Sequence, residues 1–302
     1  MNSSPCPYIG RFAPSPTGPL HFGSLVAAVG SYLDARAQLG QWLVRMEDVD
    51  EPRCSQAHAD DILCALEDFG LEWDGAVLYQ SRRKQHYQAA LDRLIEAGQA
   101  YPCACTRREV ADSSLKGIEG PVYPGTCRAG LRGRAARAWR VRVGEATICF
   151  DDRLQGRHCQ RLALDIGDFV VRRADGCFAY QLAVVVDDAE QRVTHVVRGA
   201  DLLVSTPRQI HLQTLLGYAT PDYLHLPVVM NQAGQKLSKQ TLAPALEARN
   251  AGRDLVAALG FLGLQPPLVL QTASVAEILQ WAIEKWRRNF SLPSTCSASA
   301  VR

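Results

Sequence analysis

The first pattern in the chain that could perform chemistry is a histidine at a loop-to-helix boundary near the N-terminus. The segment RFAPSPTGPLHFGS at 11–24 runs from a short apolar strand through a proline- and glycine-rich loop to a helix start, with His21 at the boundary. The unpaired N–H groups and positive dipole end of a helix N-terminus bind phosphate, and a histidine there can donate to a phosphate oxygen. Taken alone, HFGS is more often a capped turn with an exposed histidine.

A second pattern places two lysines three residues apart in the last third of the chain. Residues 236–240 read KLSKQ and follow Gly234. Lys236 and Lys239 on such a loop could both reach a polyphosphate. On its own, the segment would be an ordinary exposed basic loop.

Three cysteines in the middle of the chain have the spacing of metal ligands. Cys103 and Cys105 are two residues apart, and Cys127 follows a proline–glycine turn. Three thiolates can occupy three corners of a tetrahedral zinc site, and Cys149 or Cys159 could by type supply the fourth. The alternative is three reduced cysteines packed in a small subdomain. Because this part of the chain is poor in apolar side chains, a metal would explain how it folds, and we expect one structural zinc ion.

Residues 128–142 contain six arginines and no acidic residue. A run of charge is usually a solvated surface. Six arginines without compensation, in a chain otherwise balanced in charge, indicate a phosphate-binding surface instead. Arg107 and Arg108 could extend this surface.

The composition sets the class of protein that carries these patterns. The chain has 302 residues, 47% of them hydrophobic, with 33 Lys and Arg against 31 Asp and Glu. It can build the core of about two domains, or of one domain with an insert, and is not disordered, collagen-like or a small disulfide-stapled scaffold. No apolar run approaches the roughly 18 residues of a membrane span, and the N-terminal prolines do not suit a signal peptide. We therefore expect a cytoplasmic protein with no membrane partner.

In a reducing compartment the ten cysteines should be buried apolar residues or metal ligands. Seven of them lack metal spacing and are expected to be inert: Cys6, Cys54, Cys64, Cys149, Cys159, Cys177 and Cys296.

Strand and helix patterns alternate around these segments. Apolar periodicity predicts short strands at 8–12 and 42–46, and helices at 24–39, 57–69 and 85–97. This alternation predicts an α/β fold with a parallel sheet, organised as a Rossmann-like nucleotide-binding domain.

The periodicity weakens after residue 100 and the α/β pattern then resumes in apolar segments at 168–171, 178–186 and 193–197, with a helix at 206–216. Later helices are expected at 243–259 and 275–287. We therefore predict four parts: the first half of the catalytic domain at 1–100, a zinc-bearing insert at 101–165, the second half at 166–240, and a short, mainly helical C-terminal region at 241–302.

Together and in this order, the first two patterns resemble the signatures of class I aminoacyl-tRNA synthetases. HFGS corresponds to the family's HIGH element and KLSKQ to its KMSKS element. RMEDVDEPR at 45–53, FAYQLAVVVDD at 178–188 and VVRGADLLVSTPRQ at 196–209 resemble glutamyl-tRNA synthetases in particular. Ser24 and Gln240 depart from the final His and Ser of the two signatures.

The resemblance implies an ATP site and two catalytic side chains. His21, Gly23, Ser24, Lys236 and Lys239 match the ATP-binding positions, and His21 and Lys239 would stabilise charge on the phosphates. Mg²⁺ would accompany the nucleotide.

A pocket for glutamate needs a cation for the side-chain carboxylate and an acid for the ammonium. Arg11 and Arg198 are the candidate cations, Glu47 is the candidate acid, and Tyr180 and Ser15 could complete the pocket. All five match the glutamate-binding positions of the family, and their location at strand ends suits a ligand site in an open α/β sheet.

Two further features bear on the family. Val184 stands where glutamyl-tRNA synthetases typically carry Asn, which should weaken or reshape the pocket. The C-x-C…Y-x₃-C pattern resembles a zinc site of these proteins, which points to Tyr123 as the fourth ligand. The arginine-rich segment lies where the family grips the tRNA acceptor end.

The tail after Lys239 is too short for an anticodon-binding domain, so we expect none. This combination resembles the stand-alone bacterial paralogues of the glutamyl-tRNA synthetase core. The resemblance implies a ligase, acting as a monomer, that takes ATP, L-glutamate and tRNA(Asp) carrying queuosine, with no DNA partner. Three alternatives remain: a short synthetase that charges a tRNA 3′ end, a small-molecule adenylyltransferase, and a non-catalytic RNA-binding paralogue.

Overall fold

A computed structural model describes residues 7–113, 116–230 and 244–290 of the chain. The KLSKQ segment, with Lys236 and Lys239, lies outside these residues, so its predicted role remains a prediction. Within the described ranges, no helix is long and apolar enough to cross a membrane.

The N-terminal part forms three parallel strands with a helix between the first two. Strand β1 (Ile9–Phe12) is followed by helix α1 (Phe22–Ala37) and strand β2 (Gln41–Met46). Strands β1 and β2 pair in parallel, and β2 pairs in parallel with β3 (Leu78–Tyr79). The predicted parallel α/β arrangement is therefore confirmed.

Two amphipathic helices flank β3. Helix α2 (Gln56–Asp68) begins after Ser55, whose side chain accepts the N–H of His58 as an N-cap. Helix α3 (Lys84–Glu96) buries Tyr87, with further apolar residues on the same face. Each helix starts one residue before its predicted start; for α2 the capping residue Ser55 sets the boundary.

The middle of the chain is an antiparallel unit. Strands β4 (Ala100–Cys103), β7 (Ala138–Val141) and β10 (Phe169–Arg172) form a sheet in the order β10–β7–β4. The connection from β4 to β7 contains three short elements: helix α4 (Arg107–Ser113) and strands β5 (Lys116–Gly117) and β6 (Gly120–Pro121).

A hairpin follows this sheet and reaches back to the parallel strands. Strands β8 (Thr147–Asp152) and β9 (Gly156–Arg161) pair in antiparallel fashion and lead into the single turn α5 (Leu162–Asp165). Cys149 and Cys159 are exposed, lie opposite each other across the hairpin and form a disulfide. The prediction that both are inert reduced thiols is therefore wrong, because the pairing of the strands brings them together.

The second half of the parallel domain contributes two helices and two strands. The apolar run at 178–186 lies mostly in helix α6 (Tyr180–Glu190). Strand β11 (His195–Gly199) pairs in parallel with β12 (Asp222–Leu226), and helix α7 (Thr206–Leu216) connects them. Thr194 N–H donates to the carbonyl of Ile9, which places β11 beside β1, and Asp152 of β8 pairs with Tyr223 of β12.

Helices α8 (Ala251–Phe261) and α9 (Val275–Asn289) pack against α1 and share its apolar core. The helix predicted at 243–259 begins only at Ala251, because Ala245 forms a β-bridge with His21 and Leu246 N–H donates to the carbonyl of Leu20. Short 3-10 helices occupy Glu51–Arg53, Gln80–Arg83, Ala200–Ser205, Ala248–Asn250 and Leu268–Thr272.

Candidate active site and metal-binding cluster

The start of helix α1 carries the predicted phosphate-binding junction. His21 is the N-cap residue, and its Nδ1 accepts the backbone N–H of Ser24 at 3.3 Å. The Ser24 hydroxyl in turn accepts the N–H of His21 at 2.9 Å, which completes a capping box. A neutral imidazole that accepts at Nδ1 carries its proton on Nε2, the form that can donate to a phosphate oxygen. Ser24, which departs from the family signature, thus has a structural role in holding His21.

The chain that follows KLSKQ returns to this junction. The bridge between Ala245 and His21, with the hydrogen bond from Leu246 to Leu20, fixes residues 245–246 against the loop end.

Buried charges surround the ends of β1 and β2. Arg11 donates from Nε and Nη2 to both oxygens of Asp188, at 3.1 and 3.4 Å. Arg45 is fully buried and donates to Asp188 Oδ1 at 2.7 Å and to Gln191 Oε1 at 2.7 Å. Asp188 thus neutralises Arg11, one of the two predicted cations.

Glu47 brings a negative charge that lacks a matching donor. Its side chain is 9% exposed, Arg45 Nη2 lies 3.6 Å from Oε1, and Oε1 has no hydrogen-bond partner among the described residues. Burial raises the pKa of Glu47 to about 7, although the positive charges of Arg45 and Arg11 act against it. Such a carboxylate is suited to a cationic ligand group that would satisfy it.

Arg198 is the second predicted cation, and its partners differ from those of Arg11. Its guanidinium is buried at the end of β11 and donates to His225, to the Tyr180 hydroxyl at 3.3 Å and to the Thr206 hydroxyl at 2.8 Å. Unlike Arg11, it is therefore held by imidazole and hydroxyl groups, and no acid among the described residues pairs with it.

Tyr180 accepts a hydrogen bond from Arg198, and the charges of both Glu47 and Arg198 act on its pKa. Burial raises the pKa of Tyr180, the charge of Glu47 raises it further, and the charges of Arg198 and Arg11 lower it. The structure therefore brings together four of the five predicted pocket residues. Ser15 lies exposed on the preceding loop, beside Pro14, whose carbonyl accepts the N–H of Glu47 at 2.9 Å.

Val184 lies one helical turn after Tyr180 but is fully buried in the apolar cluster of α6. It contributes no polar group to the pocket, whereas an Asn at this position could.

The supporting acids of the pocket were not identified from the sequence. Asp187 accepts from Gln80, Arg83 and Tyr87, and Asp188 holds Arg11 and Arg45. Both are almost fully buried in helix α6. The sequence pattern that could have revealed them is two consecutive acids directly after an apolar run. Acids buried in this way require buried cations from elsewhere in the chain.

The three predicted cysteine ligands lie together. The Sγ atoms of Cys103, Cys105 and Cys127 are all within 4.8 Å of one another, and those of Cys105 and Cys127 are 3.6 Å apart. Tetrahedral Zn–S bonds of about 2.3 Å place sulfurs about 3.8 Å apart, so the cluster fits a zinc ion. Although burial acts to raise the pKa of Cys127, hydrogen bonds from Ala104 N–H, Tyr123 and the other two cysteines lower it to about 7. This favours the thiolate that a metal needs.

The Tyr123 hydroxyl lies beside the three cysteines. Its oxygen is 3.4 Å from Cys103 Sγ and 3.7 Å from Cys105 Sγ. Cys149 and Cys159, the alternatives by residue type, are bonded to each other in the β8–β9 hairpin. The phenol oxygen is therefore the candidate for a fourth ligand beside the three thiols.

Four of the six arginines at 128–142 contact other groups of the protein. Arg128 makes two hydrogen bonds to Asp168, at 2.5 and 2.6 Å, and Arg134 binds Glu109. Arg140 contacts Cys103 Sγ and lies over the Tyr123 ring, and Arg142 donates to two backbone carbonyls. The expectation of six uncompensated charges is therefore wrong for Arg128 and Arg134, because Asp168 and Glu109, which lie outside the run, pair with them. Arg132 and Arg137 are exposed.

Comparisons with known proteins show the family of the chain. The profile of the family "tRNA synthetases class I (E and Q), catalytic domain" matches residues 9–254. A "Glutamyl-Q tRNA(Asp) synthetase" of Dechloromonas aromatica is 63% identical over 289 residues, covering 95% of each chain. A protein of the same name from Chromobacterium violaceum is 60% identical over 280 residues, covering 92% of this chain and 93% of its own.

Among solved structures, a glutamate tRNA ligase from Elizabethkingia meningosepticum superimposes with a TM-score of 0.74 at 23% identity. The match covers 90% of this chain and 64% of that one. At this identity the likeness establishes the fold alone.

Proposed function

Because the chain belongs to the class I tRNA synthetases (E and Q), we propose that it activates L-glutamate with ATP and transfers it to queuosine in tRNA(Asp). The observation that carries the first step is a pair of opposite charges beside Tyr180: the carboxylate of Glu47, whose Oε1 has no hydrogen-bond partner among the described residues, and the guanidinium of Arg198, which donates to an imidazole and two hydroxyls. The second step is supported by relatives named "Glutamyl-Q tRNA(Asp) synthetase" that are 60–63% identical over most of the chain.

The two charges are complementary to an amino acid with an acidic side chain. Glu47 would bind the ammonium and Arg198 the side-chain carboxylate, each with little competition from protein partners. Arg11, already paired with Asp188, would add positive potential and a second contact. Ser15, on the loop next to Glu47, would line the entrance.

In the activation step, an α-carboxylate oxygen of glutamate attacks the α-phosphorus of ATP. The bond to the bridging oxygen breaks, and glutamyl-adenylate and pyrophosphate result. His21 Nε2–H would donate to a phosphate oxygen, and Gly23 and Ser24 lie at the helix N-terminus that offers N–H groups to phosphate. Lys236 and Lys239 would neutralise the charge that develops on the leaving pyrophosphate. Mg²⁺ supplies further charge neutralisation when bound with ATP.

In the transfer step, a hydroxyl on the cyclopentene ring of queuosine attacks the glutamyl carbonyl carbon. An ester forms, AMP leaves with the electron pair of the broken anhydride bond, and the hydroxyl proton is lost. No step uses zinc, which would be structural and held by Cys103, Cys105, Cys127 and Tyr123. We place this cluster in an insert at 101–165, between the halves of a catalytic domain at 1–100 and 166–240, followed by a C-terminal region at 241–302.

A first experiment tests activation. Glutamate should support ATP–pyrophosphate exchange, whereas aspartate and glutamine should support it at least about tenfold less, since a misplaced or missing carboxylate leaves Arg198 unpaired. Absence of exchange with any amino acid would favour a non-catalytic RNA-binding paralogue and contradict the proposal.

A second experiment locates the glutamyl group. Labelled glutamate should enter tRNA(Asp) that carries queuosine but lacks its 3′-terminal adenosine as well as it enters the intact tRNA. Loss of labelling with the shortened tRNA would favour a synthetase that charges the 3′ end.

A further inference from the structure

Arg198 is oriented by a chain of buried groups that begins in the β8–β9 hairpin, outside the pocket. Its Nε donates to His225 Nε2 at 3.0 Å, and His225 Nδ1 lies 2.6 Å from Asp152 Oδ2. The side chains of His225 and Asp152 have no exposed area. Direct hydrogen bonds therefore connect the hairpin, strand β12 and the pocket.

The hydrogen bonds around Asp152 determine where the proton of His225 lies. Asp152 also accepts the backbone N–H groups of His225, Leu154 and Gln155, at 3.0, 3.0 and 2.8 Å. Although burial acts to raise the pKa of Asp152, the bonds from the His225 side chain and these N–H groups lower it. An ionised carboxylate only accepts, so Nδ1 of His225 carries the proton and Nε2 is left as the acceptor for Arg198.

The imidazole is fixed and neutral. Burial lowers the pKa of His225 although Asp152 acts against it, so the ring does not take a second proton at neutral pH. It stacks on the Tyr223 ring with centroids 6.0 Å apart, and Gln155 Nε2 donates to its backbone carbonyl at 2.9 Å. Rotation of the ring would break its hydrogen bonds to Asp152 and Arg198 and its stacking on Tyr223.

We propose that His225, held in one tautomer by Asp152, is a positioning residue that aims Arg198 at a carboxylate of glutamate. This inference rests on the proposed function. A neutral acceptor fixes the guanidinium without cancelling its charge, whereas an acid in the same place would pair with Arg198 as Asp188 pairs with Arg11. The full charge of Arg198 then remains for the substrate.

The test compares two substitutions at one position by ATP–pyrophosphate exchange. In His225→Gln, the amide oxygen can occupy the place of Nε2 and accept from Arg198. In His225→Asn, the shorter amide can reach Asp152 but not Arg198. We expect His225→Asn to raise the KM for glutamate about tenfold or more, with the KM for ATP unchanged, and His225→Gln to stay within about threefold of the wild type.

Asp152→Asn supplies an isosteric third variant. Its amide can donate to Nδ1, which moves the imidazole proton to Nε2 and removes the acceptor for Arg198. We expect the KM for glutamate to rise as in His225→Asn, and thermal unfolding establishes that each variant is folded.

Equal KM values for glutamate in folded His225→Asn and His225→Gln would overturn the inference, as would an equal rise in the KM for ATP. If His225→Asn does not fold, an unchanged KM for glutamate in Asp152→Asn would overturn it. If the wild type shows no glutamate-dependent exchange, the proposed function itself fails and the inference with it.

Discussion

At the scale of single residues, the charged side chains of the pocket differ in the partners that bind them. Arg11 and Arg45 share Asp188, Glu47 keeps an unpartnered oxygen, and Arg198 is held by an imidazole and two hydroxyls. A site of this kind binds a zwitterion by completing its own hydrogen bonds, which makes recognition sensitive to a missing group.

The protonation of Glu47 predicts how activity depends on pH. Burial raises the pKa of Glu47 to about 7, and only the ionised form attracts the substrate ammonium. Below pH 7, kcat/KM for glutamate should therefore fall by up to tenfold per pH unit, while the KM for ATP changes little. Exchange assays from pH 5.5 to 8.5 measure this, and Glu47→Gln should be weak at every pH. A flat profile down to pH 5.5 would show that Glu47 does not bind the ammonium.

Lys239 is expected to act on the leaving pyrophosphate. Replacement by alanine removes a charge that is most needed in the transition state, so Lys239→Ala should slow adenylate formation by about 100-fold or more. Lys116→Ala, a lysine in the short β5 strand, is the matched control and should behave as wild type. Exchange by Lys239→Ala at the wild-type rate would refute the assignment of KLSKQ.

At the scale of elements, the side chains at the start of helix α1 and those of the cysteine cluster are positioned in two different ways. The capping box between His21 and Ser24 sets both the helix start and the imidazole orientation. In the middle of the chain, apolar packing is sparse around Cys103, Cys105 and Cys127, and a metal would connect β4 to the loop before β7. Local sequence therefore specifies the first site and long-range ligation the second.

Metal content tests the cysteine cluster. The purified protein should contain about one zinc ion per chain by elemental analysis, and Cys127→Ser should lose it while Cys64→Ser, a substitution of an exposed free cysteine, keeps it. Removal of zinc by a chelator should lower the thermal midpoint. Tyr123→Phe should bind zinc more weakly, and unchanged affinity would exclude the phenol as the fourth ligand.

At the scale of the whole molecule, Asp34 joins three distant segments. Tyr8 OH, Arg153 and Trp286 Nε1 all donate to its buried carboxylate, with distances of 2.5 to 2.9 Å. These bonds connect the N-terminal segment, the β8–β9 turn and helix α9 through the middle of α1. The carboxylate is thus a common anchor for parts of the chain that lie more than 100 residues apart.

Loss of the Asp34 charge should destabilise the fold. Burial acts to raise the pKa of Asp34, but the hydrogen bonds and charge of Arg153 lower it. Because the folded-state pKa is depressed, the stabilisation is present above the unfolded pKa of about 4 and is lost as pH falls through the lower folded value. Asp34→Asn should lower the free energy of unfolding by about 3 kcal/mol at pH 7, as measured with urea.

The pH dependence supplies the control for this prediction. The difference in stability between wild type and Asp34→Asn should shrink as the pH falls below about 4 and through the lowered folded-state pKa of Asp34. Glu247→Gln, at an exposed pair with Arg249, should change stability little. A wild-type-like unfolding curve for Asp34→Asn at pH 7 would contradict the anchoring role.

The distance along the chain between contacting residues decides what could be predicted from the sequence. Motifs that depend on neighbouring residues, such as the His21 junction and the Cys103–Cys105 spacing, are located correctly, as are the first strands and helices. Partners that come from far along the chain are not, because pairing is settled by tertiary packing: Asp188 lies 177 residues from Arg11, and Asp168 lies 40 residues from Arg128. The Cys149–Cys159 disulfide was missed for the same reason, since it depends on the register of two strands.

The most direct test of the central claim uses one tRNA in two forms. Labelled glutamate, ATP and the protein are incubated with tRNA(Asp) that carries queuosine, and separately with the same tRNA from cells that cannot make queuosine. The account predicts acid-precipitable label only with the queuosine form, and release of that label by mild base as expected for an ester. Equal labelling of both forms, or none of either while exchange is normal, would contradict it.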